Sequence, residues 1–169
     1  MLRLQAANWA DAAPEYAFIT AVPAEENGFT NPASGCTWAE FQRAVLPGLL
    51  DAARGAGLPE GWVPQTDFFL WEGAAIAGWF RVRHFLTPAL AAGAGHIGYC
   101  VGKAFRRRGL ASAGLRLAVE RAWELIREDE ICLSVRRDNP ASLRVQLKNG
   151  AYIHHADADH FYTRIKKIR

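Results

Sequence analysis

The residues best suited to chemistry lie in one run, Val101-Gly-Lys-Ala-Phe-Arg106-Arg107-Arg108-Gly109-Leu110-Ala111. A strand ends, three arginines follow, and a glycine and a small residue open a helix. The first N–H groups of a helix have no internal acceptor and point outward at the positive end of the helix dipole. Gly109 and Ala111 keep that end clear, so a diphosphate can come close to the backbone. The arginines add forked contacts to phosphate oxygens. The same letters also fit a solvated basic turn ahead of a helix. A second run, Asp138-Asn139-Pro140-Ala141-Ser142 with Lys148-Asn149-Gly150 after it, reads on its own as a helix start and a helix stop.

Three other patterns carry less. Gly93-Ala-Gly95-His-Ile-Gly98 fits a dinucleotide fingerprint by letter, but it precedes a strand instead of opening a helix. His154-His155-Ala-Asp157-Ala-Asp159-His160 has no helical or hairpin ligand spacing, so it reads as a polar turn and no metal is assigned. Lys166-Lys167-Ile168-Arg169 is basic without interleaved aromatics and reads as a solvated end, not a nucleic-acid groove.

Elements that could position the first two runs are legible in the chain of 169 residues and 18.7 kDa, a length suited to one domain over 1–169. Hydrophobic residues make up 50% and charged residues 22%, which excludes a largely disordered chain. Three cysteines without a CxxC pair suit reduced thiols in a cytoplasmic protein. The first residues lack the apolar stretch of a signal peptide. The longest uncharged run, His84 to Gly102, is too rich in Gly to span a membrane. Residues 1–80 carry a net −6 and residues 81–169 a net +9. A basic half suits an anionic ligand and an acidic half a cationic one, although an uneven spread of surface charge gives the same counts.

Leu2 to Gln5 reads as a short strand, Asp11 to Ile19 as a helix, and Val22 to Gly35 as a loop. Thr37 to Arg54 reads as a helix with a capping box, Thr37 and Glu40, and with Pro47 set to kink or end it. Strands at Thr66 to Trp71 and Ala74 to Phe85 flank a tight Glu72-Gly73 turn. Alternation puts Trp79, Arg81 and Arg83 on one face and Phe80, Val82 and His84 on the other. Thr87 to Gly95 reads as a loop and His96 to Val101 as a strand. A helix from Gly109 to Arg127 carries the stripe Leu115, Ala118, Val119, Ala122 and Ile126. Ile131 to Arg136, Tyr152 to His154 and Phe161 to Ile168 read as strands, with a helix between Asn139 and Asn149. The sum is an α/β (α+β) arrangement of helices on a mostly antiparallel sheet.

Taken in this order, Arg106-x-x-Gly109-x-Ala111 and then Asn139-x-x-Ser142 with Lys148-Asn149-Gly150 resemble successive motifs of the GNAT superfamily of acyl-CoA N-acyltransferases. Gly95-His-Ile-Gly-Tyr99-Cys-Val101 and Leu58-Pro-Glu-Gly-Trp-Val63-Pro64 resemble a bacterial subgroup of acetyltransferases with undefined acceptors. The resemblance is dense from Leu58 to Ile153. It implies a mixed sheet in which the parallel strands His96–Val101 and Ile131–Arg136 splay apart, with helices on both faces. It implies acetyl-CoA as co-substrate, with pantetheine in the opening. Tyr99, Cys100 and Val101 would meet the pantetheine and thioester through main-chain groups. Arg106, Arg107, Arg108, Gly109, Leu110, Ala111 and Ser112 would hold the pyrophosphate, and Asn139 and Ser142 would line the pantetheine side.

The implied chemistry is acetyl transfer to a primary amine by direct attack, with backbone N–H groups near Val101 stabilising the oxyanion. His84, His96 and Glu72 are candidate bases. Each also has a plain structural reading, as a strand-end histidine, a loop-capping residue and a turn residue. The family often protonates the leaving thiolate with a tyrosine seven residues after the motif asparagine, and Gln146 stands there. Gln is no acid, so Tyr152, Tyr162 or water would substitute. The acidic N-terminal half holds five of the six tryptophans and would offer Glu25, Glu26 and Glu40 to a cationic amine. A non-catalytic acyl-CoA-binding module is the competing reading. Basic clusters at Arg106–Arg108 and Arg136–Arg137 leave nucleic acid a distant third. Neither nucleic acid nor membrane is expected as a partner, and a homodimer is compatible with the chain.

Overall fold

The apolar run Phe68-Phe69-Leu70-Trp71 sits at the centre of the molecule, in strand β4 (Gln65–Glu72), which is buried on both faces. The computed structural model describes residues 1–167. Strand β4 pairs antiparallel with β1 (Leu2–Ala6) on one side and β5 (Ala75–Arg83) on the other. Strand β5 pairs antiparallel with β6 (Ile97–Val101). The β4–β5 turn is Gly73-Ala74, one place later than the Glu72-Gly73 reading, because Glu72 still pairs with Ala75. Gly73 takes φ 62, the left-handed region that such turns need.

Alternation along β5 works as read. Phe80 and Val82 pack with Leu115, Ala118 and Ala122 of helix α5 (Leu110–Leu125), whereas Trp79 packs with Phe41, Leu46 and Ile19 on the opposite face. Gly114 brings α5 onto the sheet: a Cβ there would lie 2.3 Å from Phe80 Cζ. The second face carries α1 (Ala12–Ala21), α2 (Trp38–Glu40) and α3 (Leu46–Arg54). The Thr37–Glu40 capping box is formed in both directions. Pro47 does not end the helix. It has no N–H and its ring crowds the carbonyl four residues back, at Arg43. The chain widens into a π turn over Phe41–Val45 and runs on to Arg54.

Two loops are more ordered than their composition suggested. Residues 22–35 contain a hairpin, β2 (Glu25–Glu26) and β3 (Phe29–Thr30), around Asn27-Gly28. Both turn residues have positive φ, 53 and 88 degrees, which favours the Asn-Gly dipeptide. Thr87 caps the single turn α4 (Pro88–Ala91).

The second sheet has the order β7 (Glu130–Arg136), β9 (His160–Lys166), β8 (Tyr152–Ala156), all antiparallel. Helix α6 (Pro140–Lys148) connects β7 to β8, with Asn139 as N-cap and Gly150 left-handed after it. The end of the closing strand read at Ile168 lies outside the described residues, as does Arg169 of the basic tail. Strands β6 and β7 share no ladder. They meet at one bridge, Gly95–Leu133, whose bonding pattern is antiparallel, so the expected parallel pair is joined only at this apex. Gly95 is obligatory there: its φ is 67 degrees and a Cβ would lie 2.3 Å from the Cys132 carbonyl oxygen. Beyond the apex β6 and β7 run along separate walls of a cleft.

Candidate active site

The cleft between the sheets measures about 820 Å³, within the range of small-molecule sites. One wall is the free edge of β6. Arg83 N–H donates to the His96 carbonyl at 2.8 Å, and Gly102 N–H donates to the Ala77 carbonyl at 2.9 Å. Antiparallel pairing alternates, so His96, Gly98, Cys100 and Gly102 bond β5. Ile97, Tyr99 and Val101 therefore turn their main-chain groups into the cleft. The Val101 carbonyl is already used this way, accepting from Arg106 Nε at 3.0 Å.

The free edge leads to the N-terminus of α5. Arg107 has φ 62 and Gly109 φ 78, a sharp turn that sends the chain into the helix. The first helical bond runs from Ala113 N–H to the Gly109 carbonyl at 3.1 Å, and no side chain caps the end. The amides of Leu110, Ala111 and Ser112 thus have no acceptor within the helix. A Cβ at Gly109 would meet nothing within 4 Å, so the mouth is open. Asn149 fixes α6 beside it, donating to the Ser112 carbonyl at 3.2 Å and the Val145 carbonyl at 2.8 Å.

Among the residues assigned to cofactor binding, Tyr99, Cys100, Val101, Arg106, Arg107, Gly109, Leu110, Ala111, Ser112, Asn139 and Ser142 all line the cleft. Arg108 does not. Its guanidinium turns to Glu72 at 2.9 Å and lies over the Phe105 ring. Asn139 Oδ1 is occupied by the Ser142 N–H at 3.1 Å, the N-cap bond. Burial pushes the Cys100 thiol up to about 12, so it stays a thiol at neutral pH and is no nucleophile.

The candidate catalytic side chains are not brought together. His96 is fully buried; its Nδ1 accepts the Cys132 N–H at 2.9 Å, and its Nε2 lies 3.6 Å from Glu128. His84 Nε2 lies 2.8 Å from Thr66 Oγ1, and burial holds its pKa below the usual histidine range. Glu72 is tied to Arg108. The Tyr152 hydroxyl donates to Glu130 at 2.9 Å, and that of Tyr162 to Asp157 at 2.8 Å. None of the five lines the cleft. The polar turn read at 154–160 is shorter in the structure, residues 157–159, because His154 and His155 belong to β8 and His160 to β9; in it Asp157 accepts from Tyr162 and from the backbone of Asp159 and His160. Those bonds, the tyrosine's first, lower its pKa to about 2.

Gln146 is also unavailable for chemistry. It is buried, donates to the Ser134 carbonyl at 3.3 Å and accepts from Thr163 Oγ1 at 2.7 Å. The tyrosine hydroxyl that does line the cleft belongs to Tyr99. It lies 2.7 Å from Ser142 Oγ, and its ring stacks on Phe80. Nor does an acidic, aromatic acceptor wall form. Glu40 is held in its capping box and Glu25 accepts the Gly28 N–H at 2.8 Å. Trp71 and Trp79 are core residues, and Trp9, Trp38 and Trp62 lie exposed elsewhere. Only Glu26 of these carboxylates lines the cleft, paired with Arg106 at 2.5 Å. Sequence reasoning missed that Arg144 and Lys148, one turn apart on α6, line the cleft, and that Arg83 and the β2–β3 hairpin do so too.

Fold and cleft together are those of a transferase of the splayed-sheet type. The family model described as acetyltransferase (GNAT) domain matches residues 2–152, and the chain belongs to that family of N-acetyltransferases. No match is found among curated proteins. Among solved structures, an acetyltransferase of the GNAT family from Streptococcus pneumoniae superposes with TM-score 0.63 at 20% identity, covering 98% of this chain and 99% of that one. RimL, a ribosomal L7/L12 alpha-N-protein acetyltransferase in complex with coenzyme A, gives TM-score 0.68 at 18% identity, covering 99% and 93%. The aminoglycoside acetyltransferase AAC(6')-Ib in complex with coenzyme A gives 0.65 at 16%, covering 99% and 95%. At these identities the likeness concerns the fold.

Proposed function

We propose that this chain transfers the acetyl group of acetyl-CoA to a primary amine by direct attack within one ternary complex. The observation that carries this reading is the continuity of the free β6 edge with the uncapped N-terminus of α5. An extended pantetheine adds to such an edge like a strand, and a diphosphate suits the amides of Leu110, Ala111 and Ser112. Arg107, Arg144 and Lys148 line the same side without ion-pair partners among the described residues. They fit a ligand with several phosphate charges.

Bound acetyl-CoA supplies the thioester that the amine attacks. The chain's own part is to align the two and to handle charge and protons. The N–H groups of Tyr99 and Val101 face the place where the thioester carbonyl would lie, and they stabilise its developing oxyanion. Glu26, the carboxylate that lines the cleft, exchanges its Arg106 partner for the incoming ammonium and takes its proton, directly or through water. The Tyr99 hydroxyl, oriented by Ser142, returns a proton to the leaving thiolate in place of the residue that Gln146 replaces. Burial keeps the Cys100 thiol protonated, which favours direct attack over a path through an acyl-cysteine.

A non-catalytic acyl-CoA-binding module would share the cleft, and Gln146 favours that reading. Thiol release separates the two. Acetyl-CoA with the protein and a panel of primary amines is expected to release free thiol only when an amine is present. Tight coenzyme A binding without amine-dependent release would contradict the transferase reading.

A further inference from the structure

The cleft has two sides, set by the alternation of β5 and β6. Phe80 and Tyr99 are cross-strand partners on the side of α5 and α6. Trp79 faces Cys100 and Arg81 faces Gly98 on the opposite side, where Arg83 follows Arg81 in the same row. With the cofactor given to the α5 and α6 side, where Arg144, Lys148 and the helix mouth lie, this second side is left to the amine, and it differs from the first in its charge pairing. Arg81 is neutralised by the buried Asp67, whose Oδ1 accepts its Nε at 3.1 Å. Arg136 is paired with Asp138 at 2.6 Å, and Arg106 with Glu26 at 2.5 Å.

Arg83 alone on this side has no carboxylate within 4.0 Å among the described residues. Its guanidinium is half-buried, and its side chain donates one hydrogen bond, to the Gly95 carbonyl at 3.0 Å. A guanidinium offers five N–H donors, so most of its capacity is unspent. Burial, and then the neighbouring Arg81, hold its pKa down, while Asp67, already bound to Arg81, pulls only weakly the other way. A half-buried, uncompensated guanidinium is costly, and an anion delivered by a ligand would offset that cost.

A carboxylate, Glu26 in its pair with Arg106, stands at the other end of the same wall. Arg83 sits level with His96, and Glu26, through Arg106, sits level with Val101. Five residues of strand separate those levels, about 17 Å along the wall. The hairpin closes the space between: a Cβ on Gly28 at its tip would lie 3.7 Å from Arg136 Cδ of β7. A ligand on this side is therefore covered by the hairpin and is bounded at both ends.

We propose that the acceptor is a small amine bearing an anionic group several bonds away, its anion held by Arg83 and its ammonium end directed toward Glu26. This rests on the acetyl-transfer reading and adds the class of substrate to it. It narrows the expectation of a cationic amine: Glu25 and Glu40 are held by Gly28 and by the capping box, and Glu26, paired with Arg106, is the one of the three that lines the cleft.

Matched pairs test it: 4-aminobutyrate against butylamine and 6-aminohexanoate against hexylamine, with amine-dependent thiol release from acetyl-CoA as readout. 4-Aminobutyl phosphate and a short peptide with an amino-terminal aspartate extend the panel to other anions and to protein-like acceptors. The anionic member of each pair is expected to have at least tenfold higher kcat/KM. In Arg83→Gln that ratio collapses toward one, and Arg83→Lys restores part of it. Melting curves of both variants separate this from a loss of the Gly95 contact, which would lower stability and leave the ratio intact. Equal or better activity with the uncharged-tail amines, or an unchanged ratio in Arg83→Gln, overturns the acceptor class while the acetyl-transfer reading stands. Preference for the peptide over both free amino acids would also overturn it, in favour of a protein acceptor. If coenzyme A binds and no amine of any kind releases thiol, both readings fail together.

Discussion

Cys132 and His96 join the two sheets by exchanging hydrogen bonds: the Cys132 N–H donates to His96 Nδ1 at 2.9 Å, and the His96 N–H donates to the Cys132 carbonyl at 2.7 Å. An Nδ1 that accepts carries no proton, so the ring is neutral, with its hydrogen on Nε2 toward Glu128. Burial holds the His96 pKa below the usual range against the opposing pull of Glu128. The histidine is therefore the hinge pin of the cleft and is not available as its base.

That geometry predicts acid sensitivity at the apex. A histidine with a depressed folded pKa contributes stability that is complete above the unfolded value, near 6.5, and is lost as pH falls below it. In His96→Asn the amide oxygen can accept the Cys132 N–H without titrating. Urea unfolding from pH 7.5 to 5 should show the wild type losing stability faster than the variant, by up to about 1.4 kcal/mol per pH unit. Parallel profiles would contradict the assignment.

Glu15 has the opposite sign. It is buried beside Asp11 and Asp67, accepts the Asn8 N–H at 3.0 Å, and has its pKa raised to about 8, chiefly by burial. The fold thus binds its proton more tightly than the unfolded chain, and stability falls as pH rises from about 4.5 toward 8. Glu15→Gln keeps the acceptor and removes the titration. The variant should gain on the wild type steadily through that window, by roughly 1 kcal/mol or more by pH 8. A constant difference across the window would show that Glu15 is ionised in the fold.

Tyr99 tests the proton path. Its main chain serves the free edge, so Tyr99→Phe should leave the KM for acetyl-CoA within about threefold. The kcat should fall tenfold or more, the lower end of what general acids contribute. Its alkaline limb should also shift, because burial holds the Tyr99 hydroxyl above the ordinary tyrosine range. An unchanged kcat would leave water as the donor.

Much of this arrangement can be read from letters alone because its signals are local. Thr37 and Glu40 spell a capping box, Asn139-Pro140 a helix start, and Arg106-x-x-Gly109-x-Ala111 an open helix mouth. Each depends on neighbours a few residues away. The β2–β3 hairpin escapes notice because its strands are two residues long, too short for alternation to show, although Asn27-Gly28 is a strong turn signal. The histidines mislead for a different reason. A letter does not say what a ring will bond to, and His96 and His84 are claimed by Cys132 and Thr66, 36 and 18 residues away in sequence. Alternation along the strand gives the face that Arg83 takes in the fold. Its meaning depends on which carboxylates other segments bring near it, and that is settled only in the folded chain.

The most direct test of the central claim is the affinity of coenzyme A for the Gly109→Val variant, measured by calorimetry. A Cβ at Gly109 meets no heavy atom within 4 Å, so the added side chain fills the helix mouth and leaves the core untouched. The left-handed φ of 78 degrees costs the variant on the order of 1–2 kcal/mol, which its melting curve will report separately. If the amides of α5 grip the diphosphate, binding weakens at least tenfold in protein that remains folded. Wild-type affinity in that variant would place the diphosphate elsewhere and contradict the account.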